Sequence, residues 1–261
     1  RASLTNISIF ITGSNSKLLS EEISTILSGR YVSFNINPLN YREYIELTNK
    51  NPKDEEAFWD FVQWGGLHNI KDYLHSVFDS IILRDVVSRL GLKDVVLFNL
   101  ILQYIVDTTG REFSANNIIN FLKSEGREVS TITLYNYLDA LCKALIIKKI
   151  YRYDIHGKAI LKTLNKYYVT DLGIAQIKNN NFEINKPFAL ENIVFNELIT
   201  RGYDVYIGKT KKGEIDFIAT KTKEKLYFQI AYYLNDEKVV EREFGAFKDI
   251  KDNYPKYVLS M

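Results

Sequence analysis

Three side chains in the last third of the chain have the types and spacing to hold a metal ion. Glu191 lies in a segment of helical periodicity from about 188 to 200. Asp216 belongs to the strand-like run Gly213-Glu214-Ile215-Asp216-Phe217, and Gln229 to Tyr227-Phe228-Gln229-Ile230-Ala231. Magnesium takes oxygen ligands in an octahedron, commonly one or two carboxylates with water and phosphate completing the shell. Strand alternation puts Asp216 on one face and Ile215 and Phe217 on the other, and a hairpin around 221–225 brings Gln229 alongside it. Glu197 follows Glu191 well round the helix axis, so at most one of the two faces such a site. The same residues also fit a purely structural role, with Asp216 and Gln229 bonding loops.

A second constellation is basic. From Lys143 to Lys162 there are six cations (Lys143, Lys148, Lys149, Arg152, Lys158, Lys162) against one acid, Asp154, interleaved with Tyr151 and Tyr153. Such a strip suits contacts to phosphate. The helical segment before it turns Thr131, Thr133, Asn136, Asp139 and Lys143 outward, where short polar groups reach base edges. Duplex DNA is therefore the expected partner, gripped through Lys148, Lys149, Arg152 and Lys158. The alternative is a hairpin whose lysines merely meet solvent.

Other chemistry is excluded. Gly208-Lys209-Thr210 has the tail of a phosphate-binding loop, but the position that needs glycine is Tyr203 and a strand follows instead of a helix. It reads as a loop between strands, so this chain by itself is not expected to hydrolyse ATP. His68, His75 and His156 lack partners at ligand spacing. Cys142, the single cysteine, rules out an internal disulfide and fits a reducing cytoplasm. Trp59 and Trp64 read as core anchors.

The elements that position these groups follow from periodicity. Ile7 to Thr12 reads as a strand, Leu18 to Leu27 as a helix closed by Gly29, and Val32, Phe34 and Ile36 as a short strand stopped by Pro38. Asn15, just past the first strand, fits an Asx turn or a ligand-facing position; Arg30 fits a helix–strand junction. Three helices span 97 to 144, the third with the stripe Leu134, Leu138, Leu141, Leu145 and Ser130 as N-cap. Strands at 146–153 and 158–164 flank a His156-Gly157 turn. Helix–helix–helix–hairpin is the order of a winged helix-turn-helix. A linker is expected between Gly173 and Pro187, then a helix and strands at 204–207, 215–220 and 226–230. Lys+Arg 34 against Asp+Glu 32 leaves any nucleic-acid footprint local. No apolar run approaches membrane length. The strand at each end of the chain leads us to expect a piece cut from a longer protein.

Ile11-Thr12-Gly13-Ser14-Asn15-Ser16, Leu27-Ser28-Gly29-Arg30-Tyr31 and Pro38-Leu39-Asn40-Tyr41-Arg42-Glu43-Tyr44 resemble, in this order, a prokaryotic AAA-family ATPase after its two Walker motifs. Trp64-Gly65-Gly66, Ile81 to Val87 and Lys166-Tyr167-Tyr168-Val169-Thr170-Asp171-Leu172-Gly173 extend the resemblance over the chain. It implies that Asn15 is the sensor residue facing the γ-phosphate and Arg30 an arginine available to phosphate. It also implies that ATP and magnesium bind the intact protein. The Glu191, Asp216, Gln229 order resembles the PD-(D/E)XK nuclease fold, with departures. Ala231 stands where that superfamily has its lysine, Ile215 replaces the proline, and Gln229 is neutral, leaving Lys225 or Lys209 as stand-ins to look for.

The expected class is α+β and multidomain: an AAA remnant at 1–40, a helical lid at 41–92, a winged helix at 93–175 and a restriction-endonuclease-like domain at 186–261. The expected function is that of the C-terminal part of an ATP-binding protein that binds DNA and carries a degenerate nuclease site. A non-enzymatic module for a protein partner and an active magnesium nuclease stay open, as does homo-oligomerisation.

Overall fold

The computed structural model describes residues 10, 30–32, 34, 36–66, 94–174, 185–211 and 213–261. The first strand and helix expected from sequence, Asn15, His68, His75 and the Ile81 to Val87 motif lie outside them. What is described is α+β, with helices gathered in the first half and a mixed sheet in the second.

Two short helices open the described chain. α1 (Tyr41–Thr48) starts in a capping box, with Asn40 accepting from the Glu43 N–H and Glu43 accepting from the Asn40 N–H. α2 (Glu55–Trp64) is capped by Asp54. They clasp an aromatic cluster in which the Tyr41 ring meets Phe58 at 5.3 Å and Phe61 at 5.5 Å. The Trp59 indole stays half-buried, donating to Glu55 Oε1.

Three helices follow: α3 (Val95–Asp107), α4 (Ala115–Ser124) and α5 (Thr131–Lys143), capped by Asp94, Ser114 and Ser130. Asp94 also pairs with Arg127 at 2.9 Å, tying the start of α3 to the turn before α5. Leu134, Leu138 and Leu141 of α5 are buried among Phe98, Ile101 and Leu122. Each such apolar side chain contributes roughly 1.5–3 kcal/mol. The stripe expected from sequence fails at its end: Leu145 lies beyond the helix, has φ 58° and is half-exposed. It turns the chain out of α5 into the sheet.

That sheet has six strands in the order β2–β1–β3–β4–β5–β6. β1 (Ile147–Asp154) and β2 (Ala159–Val169) are antiparallel. β1 then pairs in parallel with β3 (Asp204–Lys209), Arg152 opposite Ile207. β4 (Glu214–Lys221) and β5 (Glu224–Ile230) continue antiparallel, and β6 (Lys256–Leu259) lies parallel to β5. The basic hairpin and the last third of the chain therefore share one hydrogen-bonded sheet. The hairpin tip is held too, since the Ile155 N–H donates to the Lys209 carbonyl at 3.1 Å.

α6 (Lys186–Thr200) covers one face of the sheet, packing Phe195 and Leu198 on Tyr168, Ile207 and Phe217. On the other face, Phe247 and Ile250, which follow α7 (Glu237–Gly245), pack on Ile215, Ile218 and Tyr227. Ile215 and Phe217 thus belong to opposite cores, contrary to simple alternation. The cause is a bulge. Tyr206 pairs with Ile218 and Gly208 with Ile215, so two β4 residues, Asp216 and Phe217, oppose Ile207 alone.

Candidate functional site

The bulge aims Asp216 at α6, and other elements converge on the same place. β2 carries its own irregularity: Ile150 pairs with Lys166 and Arg152 with Leu161, so four β2 residues oppose Tyr151. Lys166 emerges from this detour, and its Nζ reaches Glu191 Oε1 on α6 at 3.2 Å and Glu214 Oε2 on β4 at 3.7 Å. The Tyr168 hydroxyl, two residues on, donates to the same Glu191 oxygen. Arg152 on β1 donates to Glu112 at 2.7 Å and to Glu214.

Glu191, Asp216 and Gln229 lie in one neighbourhood. The Asp216 N–H donates to Gln229 Oε1 at 3.1 Å, and the Ile230 N–H donates to Asp216 Oδ2 at 2.7 Å. These two bonds lie just beyond the last ladder pair, Phe217 with Phe228. Each of the three side chains therefore spends an oxygen inside the protein, on Lys166 and Tyr168, on a backbone N–H, or on the Asp216 amide. Among the described residues no group of three or more His, Cys, Asp or Glu is arranged to hold a metal. Glu191, Asp216 and Gln229 supply two carboxylates and one amide, each with an oxygen turned to a protein donor.

The electrostatics follow from burial. Desolvation first, then Glu191, pushes the Asp216 carboxyl up to about 7, against the Ile230 N–H and the Lys166 charge. Burial works to deprotonate Lys166, but Glu191, Glu214 and Asp216 together outweigh it and hold the ammonium above its ordinary range. Burial and Glu191 keep the Tyr168 phenol protonated. The cluster sets two cations, Lys166 and Arg152, among Glu112, Glu191, Glu214 and Asp216, with buried Glu243 of α7 acting on Asp216 as well.

Lys166 was missed by sequence reasoning, which looked to Lys225 and Lys209. Lys225 points elsewhere, over the Tyr227 ring at 4.9 Å and 3.6 Å from Asp252, while Lys209 is exposed at the end of β3. Glu197 faces away from the cluster and pairs with Arg201 at 2.7 Å. Gly208-Lys209-Thr210 is a strand end, closed by the Gly213 N–H donating to Thr210 Oγ1.

The basic strip is redistributed. Arg152, expected on phosphate, is only 6% exposed and belongs to the ion cluster, because β1 is an interior strand. Lys148 is half-buried and donates to Asn37 Oδ1 at 3.2 Å. Lys143 is tied to Asp139 at 2.6 Å. Lys149 lies 5.0 Å from the Tyr151 ring centre, and Lys158 is exposed at the hairpin turn. On α5, Thr131 and Asn136 are exposed with Ile132 and Tyr135, while Thr133 is partly covered and bonds Ser130. Arg30 is exposed. Burial pushes the Cys142 thiol up to about 11, the state of an inert core thiol.

A second convergence joins sequence-distant motifs. Asp171 is buried, and its carboxylate accepts from the Gly66 N–H at 2.9 Å and the Gly173 N–H at 2.7 Å. A Cβ on Gly65 would lie 1.6 Å from Asp171 Oδ1, and one on Gly66 would lie 2.2 Å from the Leu39 carbonyl oxygen. Trp64-Gly65-Gly66 and Asp171-Leu172-Gly173 are two halves of one clasp. Burial pushes Asp171 up to about 6 despite those two donors.

Residues 1–45 match the family model of an AAA domain, and residues 62–183 match a domain of unknown function, DUF8612. An uncharacterized protein of Haemophilus influenzae is 36% identical over 266 residues, 98% of this chain and 66% of the relative. The uncharacterized protein MJ1544 of Methanocaldococcus jannaschii is 34% identical over 268 residues, 94% of this chain and 59% of its own length. The chain thus spans roughly three fifths to two thirds of the relatives it matches. No solved structure matches. Among the described residues no helix is long and apolar enough to cross a membrane. By sequence the chain begins in an AAA-like stretch and is similar through nearly all its length to longer bacterial and archaeal proteins.

Proposed function

We propose that this chain is the output part of an AAA-family ATP-binding protein and that it engages duplex DNA through α5 and the neighbouring hairpin. ATP and magnesium would bind the AAA part of the intact protein, where Asn15 and Arg30 would sense phosphate. The observation that carries the reading is the outward face of α5. Thr131, Tyr135 and Asn136 stand exposed above a fully buried leucine face, in the element order of a winged helix, with Lys149 and Lys158 on the adjoining hairpin. Such a face offers hydrogen-bonding groups for base edges and cations for phosphate. The nuclease-like cluster is silent in this reading, with Glu191 and Glu214 paired to Lys166 and Arg152 inside the protein. Fluorescence anisotropy with a labelled duplex tests it: saturable binding that weakens in Asn136→Ala supports the reading, and no saturable binding refutes it.

One observation favours a protein partner instead. Ile132 is 75% exposed on the same face, beside Tyr135. Association indifferent to salt would point to that second reading.

A further inference from the structure

A cavity of about 330 Å³ lies between α1, α2, the start of β1 and α6, away from the ion cluster. That is the lower end of the range for small-molecule sites. Tyr41, Phe58 and Phe61 give it an aromatic wall, and Lys148 lies opposite on β1.

Lys148 is the anomaly. The buried cations of the sheet among the described residues are surrounded by carboxylates, Lys166 by Glu191 and Glu214 and Arg152 by Glu112 and Glu214, and half-buried Lys149 lies against the Tyr151 ring. The Lys148 ammonium has only the neutral Asn37 Oδ1, and no carboxylate pairs with it among the described residues. Burial without a compensating acid pulls its pKa down. Leaving a charge half-buried and unpaired is costly unless something else compensates it. Arg42 and Arg201 also line the cavity, but each already has a carboxylate, Glu46 and Glu197, at 2.9 and 2.7 Å.

We propose that this cavity binds a small organic anion, with a phosphate, sulfonate or carboxylate on the Lys148 ammonium and a flat apolar body against Tyr41, Phe58 and Phe61. The assignment goes beyond DNA binding by α5 and does not depend on it.

The test uses 1-anilinonaphthalene-8-sulfonate, an aromatic anion, titrated by fluorescence into the folded chain. One saturable site is expected, weakened at least about tenfold in Lys148→Met and unchanged in Lys251→Met, at an exposed lysine near the end of the chain. A tenfold loss is the modest worth of one charge-assisted contact. Neutral N-phenyl-1-naphthylamine should bind both proteins alike. Should Lys148→Met fail to fold, Asn37→Asp places a carboxylate beside the ammonium and should cause the same loss. Competition separates the sources. Displacement by phenyl phosphate and adenosine monophosphate together indicates a nucleotide-like ligand, and displacement by phenyl phosphate alone a simpler aryl anion. Equal dye affinity in wild type and both variants, or displacement by neither compound, overturns the proposal.

Discussion

Lys166 Nζ stands 3.2 Å from Glu191 Oε1, both side chains nearly excluded from water, and the contact ties the basic hairpin to the helix that covers the sheet. Removing one partner of a buried pair strands the other charge, typically at about 3–5 kcal/mol, whereas replacing both by apolar groups is often neutral. Lys166→Met should therefore lower the urea midpoint strongly, and Lys166→Met with Glu191→Leu should recover more than half of the loss. Additive losses in the double variant would mean that the pair is not coupled.

Stability should fall as pH rises from about 4 to about 6. Asp171 has an ordinary carboxyl pKa near 3.8 when unfolded and about 6 in its clasp. The folded state therefore binds more protons in that window, and its stability is lost as the carboxyl ionises. The shift corresponds to about 3 kcal/mol. Asp216 adds a contribution of the same sign extending to about 7. Thermal melts across this range should show a shallower slope in Asp171→Asn, although that variant is less stable throughout, since its amide supplies one acceptor where two N–H groups point.

Gly65→Ala and Gly126→Ala should differ sharply although both glycines have positive φ, 72° and 74°. At Gly126 nothing lies within 4 Å of an added Cβ, so only the left-handed backbone penalty of about 1 kcal/mol applies. At Gly65 the new atom would occupy the position of Asp171 Oδ1. A melting temperature lowered much more by Gly65→Ala is the expected result, and equal shifts would contradict the clasp.

How far this was legible in sequence depends on the range of the contacts. The leucine stripe of α5 and its Ser130 cap are local, and they stand where the pattern put them up to Leu141. Leu145 escaped because a helical period carries no mark for the residue that leaves the helix. Asp216 and Ile215 lie on opposite faces as alternation has it, but Phe217 does not rejoin Ile215, since a one-residue bulge interrupts the period and leaves no signature in Glu214-Ile215-Asp216-Phe217. Arg152 and Lys166 could not be placed, because the parallel pairing of β1 with β3 spans some fifty residues and no turn announces it.

No cleavage of single-stranded, duplex or branched DNA is expected in magnesium or manganese. Glu191 and Asp216 each turn one oxygen to internal donors, and the Lys166 ammonium beside Glu191 opposes the approach of a divalent cation. Gel assays with labelled strands check this. Cleavage abolished by Asp216→Ala would overturn the silent reading and make Lys166 the charge beside the reacting phosphate.

The salt dependence of duplex binding tests the central claim most directly. Each phosphate contact contributes about 0.9 to the slope of log affinity against log salt. Exchanging Lys149 and Lys158 together for Ala should reduce the slope by about 2, while Arg152→Ala should lower stability and leave the slope of the remaining folded protein unchanged. A slope indifferent to Lys149 and Lys158, or one that follows Arg152, would contradict the account.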